Sequence, residues 1–240
     1  IREIEAQNMN VIAVFANSMN SGEHDSPTLS EALETYFQPD GKTVIDVLLS
    51  TMKFSFKASG TPISLFEKLN VPILESYTVL TTAEEWEAAD AGLDPMAVSI
   101  SVSLPEFDGV IHAVPIAAKV KNEQGAVTYQ PLPDRIKLAV EKAKHWALLK
   151  HKSNKDKKVA LILHNYPAAN SNIGSAVGLD TIESVRRMLV ILKEQGYKVD
   201  SIPEDTKEFI AQLTRNATND KSMLNDRQIR EANKVTAEQY

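Results

Sequence analysis

The sequence predicts an α/β fold built on parallel sheets, and three observations carry that expectation. Strand-type and helix-type patterns alternate along nearly the whole chain, as they do where crossover helices join parallel strands. Short apolar runs such as VIAVFA (11–16) and VALIL (159–163) have the length and composition of buried strands. The segments between them open on Ser, Thr or Asp start signals and close on Gly.

Taken in order, Val11–Ala16 is the first expected strand. Ser26–Pro27 starts a helix, with Ser as N-cap and Pro at the first helical position. Thr43–Leu49 reads as the second strand. Thr61–Pro62 repeats the start signal for a short helix to Leu69, and Val71–Glu75 is the third strand. Thr81 with Glu84, or Thr82 with Glu85, makes a capping box for a helix that stops at Gly92. Val98–Leu104 (VSISVSL) alternates as a half-buried strand should. Pro105–Leu132 is less regular and holds a hairpin around Asn122–Gly125. A helix follows from Pro133 to Lys150, with Ile136, Val140, Ala143 and Ala147 on its apolar face. After strand Val159–Leu163, Asp180 and Glu183 form a capping box for a helix to Gln195, buried through Ile182, Val185, Leu189 and Leu192. Gly196 ends it and Tyr197–Ile202 is a further strand. The remainder, Glu204–Tyr240, is polar and helical in pattern. Together these units are Rossmann/flavodoxin-like, arranged as two domains or part-domains. Residues 1–152 form the first, and 153–240 start a second that is cut short at its C-terminus.

Composition narrows the function. At 240 residues, 43% hydrophobic and 24% charged, the chain suits an ordinary globular protein. No apolar run approaches the roughly 20 residues of a membrane span, and the acidic start IREIEAQNMN is no signal peptide. Cys is absent, which excludes disulfides, thiolate metal sites and a cysteine nucleophile, and a cytoplasmic location is expected. The chain begins with Ile1, as a piece of a longer protein would. Residues 1–110 carry 5 Lys/Arg against 17 Asp/Glu, whereas residues 111–200 carry 15 against 8. The Lys150–Lys158 cluster lacks the interleaved aromatics of a nucleic-acid surface, so no nucleic-acid partner is expected.

There is no P-loop, no H-E-x-x-H, no nucleophile elbow and no properly spaced dinucleotide fingerprint. Two places remain. Leu104–His112 (LPEFDGVIH), set at the expected carboxyl end of strand Val98–Leu104, brings Glu106, Asp108 and His112 together. These groups suit proton transfer or transient contact with a divalent metal, while the plainer reading is an Asp108-Gly109 turn capped by Glu106. His164–Asn172 follows the strand end Val159–Leu163, where open α/β sheets place ligands. Here His164 is a ligand, a base or a hydrogen-bonded core histidine. Asn165, Tyr166, Asn170 and Asn172 bind a polar ligand or tie the loop to itself, and Gly174 permits close backbone approach. Two domains facing each other would bring both motifs to one cleft.

The residues LNVPIL (69–74), SVSLPEFDG (101–109), PLPDRI (131–136), HWALLK (145–150), DKKVALILHNYP (156–167), NIGSAVGLD (172–180) and GYKVD (196–200) occur in one order. This series resembles the large, tetrapyrrole-binding subunit of the metal chelatases, a family that spans cobaltochelatase and the H subunit of magnesium chelatase. The resemblance implies ATP-dependent insertion of a divalent metal, Co2+ or Mg2+, into a tetrapyrrole. ATP is then hydrolysed by separate AAA+ partner subunits, in keeping with the missing P-loop. It further implies that Glu106 is the leading acid–base group and transient metal ligand, with His112 and His164 next. Asn165, Tyr166, Asn170, Asn172 and Gly174 would meet the macrocycle. His164-Asn165-Tyr166-Pro167 resembles the cobalt branch, which points to cobalamin biosynthesis.

Overall fold

The computed structural model describes residues 1–15, 27–53, 55, 64–121, 125–215, 218, 220–232 and 234–238. The chain divides into two compact units, Ile1–His151 and Lys152–Tyr240. The first runs α1 (Arg2–Ala6), α2 (Leu29–Phe37), β1 (Leu48–Ser50), α3 (Ser64–Leu69), β2 (Ile73–Thr82), α4 (Ala83–Glu87), α5 (Pro95–Val98), α6 (Leu104–Glu106), β3 (Val110–Lys121), β4 (Val127–Pro131) and α7 (Pro133–His151). The sheet order is β1-β2-β3-β4. β1, β2 and β3 run parallel, and β4 returns antiparallel to β3, with Lys121 opposite Val127. Of the expected hairpin turn, residues 122–124 lie outside the described residues. The α/β class with a mostly parallel sheet is therefore present.

Each local choice has a cause. The N-cap of α2 is Thr28, whose hydroxyl accepts from Glu31 N while the Glu31 carboxylate accepts from Thr28 N at 2.8 Å. The helix therefore begins at Leu29, not at Pro27, while Ser26 and Thr61–Pro62 lie outside the described residues. Of the two candidate boxes at α4, Thr82–Glu85 forms, and the helix ends at Glu87, five residues ahead of Gly92. Leu29, Leu33 and Phe37 of α2 pack with Phe66 and Leu69 of α3 against Ile73 and Val110 of the sheet. Val14 joins this cluster, although Val11–Phe15 forms no strand and Ala16 lies outside the described residues. A second cluster joins Tyr77, Val79, Ala83, Ala118 and Leu132. Helix α7 buries Ala139, Val140 and Ala143, small residues that let it lie close on β3. Its last turn is tied down by Asp46, which accepts from Lys150 Nζ at 3.0 Å and His151 Nε2 at 2.9 Å.

VSISVSL is a correction. Residues 95–106 are helical throughout, passing from α5 through a π-helical turn, Ser99–Ser103, into α6. Asp94 starts the run, its Oδ1 accepting from Met96 N at 2.9 Å and Ala97 N at 3.0 Å, with Pro95 at the first position. That start signal overrides a period-2 pattern whose serines favour neither state strongly. Pro105–Leu132, expected to be irregular, is instead mostly the 12-residue β3 and its β4 partner.

In the second unit α8 (Thr181–Glu194), α9 (Thr206–Thr214) and α10 (Asp226–Glu231) follow the expected pattern. Asp180 caps α8 by accepting from Glu183 N at 3.0 Å. The reciprocal half of the expected capping box is missing, because Arg186 and Arg187 take the Glu183 carboxylate at 2.7 and 2.8 Å. Those two guanidiniums hold Glu183 down at about 2. The helix closes in a Schellman motif, with Tyr197 N bonded to Leu192 O and Gly196 N to Lys193 O at 3.0 Å, and Gly196 at φ +81°. Asp180→Ala should cost about 1 kcal/mol in denaturant unfolding, with Asp180→Asn nearly neutral. Val159–Leu163 and Tyr197–Ile202 close no ladder among the described residues, and Ile162 is 94% exposed. A strand assignment needs a hydrogen-bonded neighbour as well as an apolar run, so these two expected strands are corrected to irregular chain.

Candidate functional site

Glu106 is the last residue of α6 and is exposed, its carboxylate without a hydrogen bond among the described residues. The chain then turns sharply. Asp108 N bonds to Pro105 O at 2.9 Å and Gly109 N to Glu106 O at 3.0 Å, and Gly109 takes φ +80° before β3 begins. Asp108 is buried and accepts from Ser55 Oγ at 3.0 Å. Asp108 thus anchors the turn while Glu106 stays available. The motif lies at the amino ends of β2 and β3, not at the carboxyl end of a strand, because its upstream segment is helix. A groove of about 410 Å³ opens beside it, lined by Phe66, Asn70, Pro72, Ile73, Asp108 and Gly109. That volume falls within the usual range for small-ligand sites.

His112 occupies a β-bulge. Between the pairs Leu74↔Ile111 and Ser76↔Val114, β3 carries one residue more than β2, and His112 adopts φ +55°. Bulges re-aim side chains and concentrate near functional sites. The imidazole is exposed and tilts against Trp146 of α7 at 5.9 Å. Among the described residues no group of three or more His, Asp or Glu side chains could hold a metal ion.

Sequence reasoning missed Glu75. It is the third residue of β2, pairs in register with Ser50 of β1, and sits level with the His112 bulge on the other side. It is 1% exposed, and among the described residues neither buried carboxylate oxygen has a well-formed hydrogen bond, the Ser50 hydroxyl being the nearby polar group that acts on it. Burial pushes its pKa up to about 8, against the opposing pull of the nearby Ser50 hydroxyl and the Lys53 charge. A carboxylate inside the apolar run VPILESYTV was the available signal, since Glu is almost never fully buried without a reason.

In the second unit, the loop after His164 is held by its own amides. Gly174 N bonds to His164 O at 2.7 Å and Asn165 bridges to Ile173. Asn165 Oδ1 accepts from Ala169 N at 3.3 Å, and Asn172 Nδ2 donates to Pro167 O at 2.8 Å. Asn170 N donates to Asp220 Oδ2 at 3.1 Å, and its Oδ1 accepts from Thr218 Oγ1 at 2.6 Å. His164 and Tyr166 are exposed, their rings 6.3 Å apart, and Tyr166 shows 75% of its surface. Gly174 is buried at φ +70°, where an added Cβ would stand 3.1 Å from the Thr181 side chain. Gly174→Ala should destabilise the protein by about 1–2 kcal/mol in denaturant unfolding. No helix among the described residues is long and apolar enough to cross a membrane.

Known proteins resemble the chain throughout. The family model for CobN/Magnesium Chelatase matches residues 1–240. An uncharacterized protein of Methanocaldococcus jannaschii is 38% identical over 242 residues, covering 95% of this chain and 20% of that protein. The aerobic cobaltochelatase subunit CobN of Pseudomonas aeruginosa is 37% identical over 157 residues, covering 63% of this chain and 13% of the relative. The magnesium-chelatase H subunit of Rhodobacter capsulatus is 26% identical over 230 residues, covering 87% and 18%. Among solved structures, the catalytic subunit of cobaltochelatase from Mycobacterium tuberculosis superposes with a TM-score of 0.72 at 27% identity, over 89% of this chain and 18% of that one. The chain spans about a fifth or less of the length of these relatives. It belongs to the CobN/magnesium chelatase family of metal chelatase subunits.

Proposed function

We propose that the chain is part of the tetrapyrrole-binding large subunit of an ATP-dependent, cobaltochelatase-like ligase that inserts Co2+ into a corrinoid precursor. His164-Asn165-Tyr166-Pro167, which resembles the cobalt branch, supports the cobalt reading, and so does the 37% identity to one cobaltochelatase subunit over 157 residues, although across the relatives the two branches overlap, at 27–37% for cobaltochelatase subunits and 26–30% for magnesium-chelatase H subunits. ATP is hydrolysed by AAA+ partner subunits and drives the step from outside this chain. Such a subunit works in the cytoplasm, beside those partners, in cobalamin biosynthesis.

Insertion requires that two pyrrole N–H protons leave the ring as the dication sheds water and takes the four nitrogens. An exposed carboxylate is the simplest acceptor for those protons, and Glu106 offers one, without a hydrogen bond among the described residues and two residues before Asp108, which lines the groove of about 410 Å³. His112, re-aimed by its bulge, is a second proton acceptor and a passing ligand for the metal. In the second unit His164 and Tyr166 are presented to solvent for contact with the macrocycle, on a loop that Asn165, Asn170, Asn172 and Gly174 shape. The full-length protein, combined with its ATPase partners, Co2+ and hydrogenobyrinic acid diamide, is expected to produce the cobalt complex. A preference for Mg2+ and protoporphyrin would assign it to the magnesium branch, and binding without any insertion would make it a docking module.

A further inference from the structure

Two polar residues of the segment after α9, Thr218 and Asp220, engage the Asn-rich loop across about fifty positions of sequence. Asp220 is buried, and its carboxylate accepts from Asn170 N at 3.1 Å, Ser222 N at 3.1 Å and Ser222 Oγ at 2.6 Å. Asp220 N in turn donates to Thr218 Oγ1 at 3.1 Å. The Thr218 hydroxyl proton is given to Asn170 Oδ1 at 2.6 Å. With its carbonyl oxygen and its backbone N–H both taken, the Asn170 side chain is fixed in one orientation. Its Nδ2 donors make no hydrogen bond among the described residues, and the side chain is only half-buried. A neutral amide held this way is a preorganised donor.

The charge beside it decides which acceptor it suits. Asp220 is kept ionised below the usual carboxylate range by the Ser222 hydroxyl and the Asn170 N–H. A ligand carboxylate approaching Asn170 Nδ2 would meet that negative charge, whereas a neutral carbonyl oxygen would not.

We infer that Thr218 and Asp220 are positioning residues that aim Asn170 Nδ2 at a neutral carboxamide oxygen on the periphery of the macrocycle. This inference rests on the tetrapyrrole reading above. It gives the segment after α9 a role in selecting amidated over acidic rings.

The test uses the full-length protein and two probes, a free-base porphyrin dicarboxylate and the matching bis-carboxamide, each titrated by fluorescence quenching. Wild type should bind the carboxamide about tenfold more tightly, the scale of one well-formed hydrogen bond. Thr218→Val should bring that preference close to one, and Thr218→Ser should restore it. In an Asn170→Ala background Thr218→Val should change nothing further, because the threonine acts through the asparagine. A wild type that binds both probes equally, or a Thr218→Val protein that keeps the preference, overturns the inference while leaving tetrapyrrole binding intact. A wild type that binds neither probe overturns the tetrapyrrole reading and this inference with it.

Discussion

Glu75→Gln is expected to make the protein more stable above about pH 5, with a gain that grows as the pH rises. In the folded chain burial raises the Glu75 carboxyl to about 8 from its ordinary 4.5. Between those values the unfolded chain gives up the proton and the folded chain keeps it. The unfolded state therefore binds fewer protons, and folding stability falls with rising pH until about pH 8, where the difference levels off. At pH 7 the cost is about 3 kcal/mol, and it vanishes below about pH 4.5. The substituted amide does not ionise, so the variant should show a flat profile across that window in urea denaturation followed at several pH values. Coincident slopes for the two proteins would mean that Glu75 is ionised and paired in the native state. The surrounding chemistry argues against that, since the pull of the Ser50 hydroxyl and of the Lys53 charge does not offset burial, and Lys53 is itself held below its ordinary range, chiefly by burial.

Glu106→Gln should lower the rate of metal insertion by roughly 10²–10⁴-fold, the usual worth of a positioned acid–base group, with tetrapyrrole affinity unchanged within about twofold. The amide keeps the shape of the side chain and removes only the proton acceptor. The exposed position of Glu106 at the end of α6 means that this change disturbs no buried contact. Asp108, two residues on, should behave differently. It is buried against Ser55, so its loss should show first in unfolding and only secondarily in insertion. Insertion at the wild-type rate by Glu106→Gln would remove the role given to Glu106 and shift attention to His112.

How far the sequence could be read varied with the kind of signal. Local, self-contained signals were legible. The Thr82–Glu85 box, the Asp180 cap and the Gly196 stop each depend on a few neighbouring residues, and each is present, while of the expected α7 stripe Val140 and Ala143 are buried and Ile136 and Ala147 half-buried. Signals that depend on distant partners were not. The alternation in VSISVSL suits a strand, but Asp94-Pro95 begins a helix just upstream and no neighbouring strand among the described residues competes for the segment. Val159–Leu163 has the composition of a buried strand, yet strand hydrogen bonds come from another segment, which a single run cannot reveal. The site divides in the same way. The turn that follows Glu106 was legible in the LPEFDG motif. The β-bulge at His112, the isolation of Glu75 and the contact of Asp220 with Asn170 are all products of register or of long-range packing.

The most direct measurement is an equilibrium titration of the full-length protein with a free-base tetrapyrrole, in the absence of ATP and metal, followed by the absorbance of the macrocycle. Saturable binding at one site per chain is expected, with Co2+ then entering the bound ring only when the ATPase partners and ATP are added. A macrocycle spectrum that is unchanged by the protein at any concentration would contradict the tetrapyrrole reading at its root.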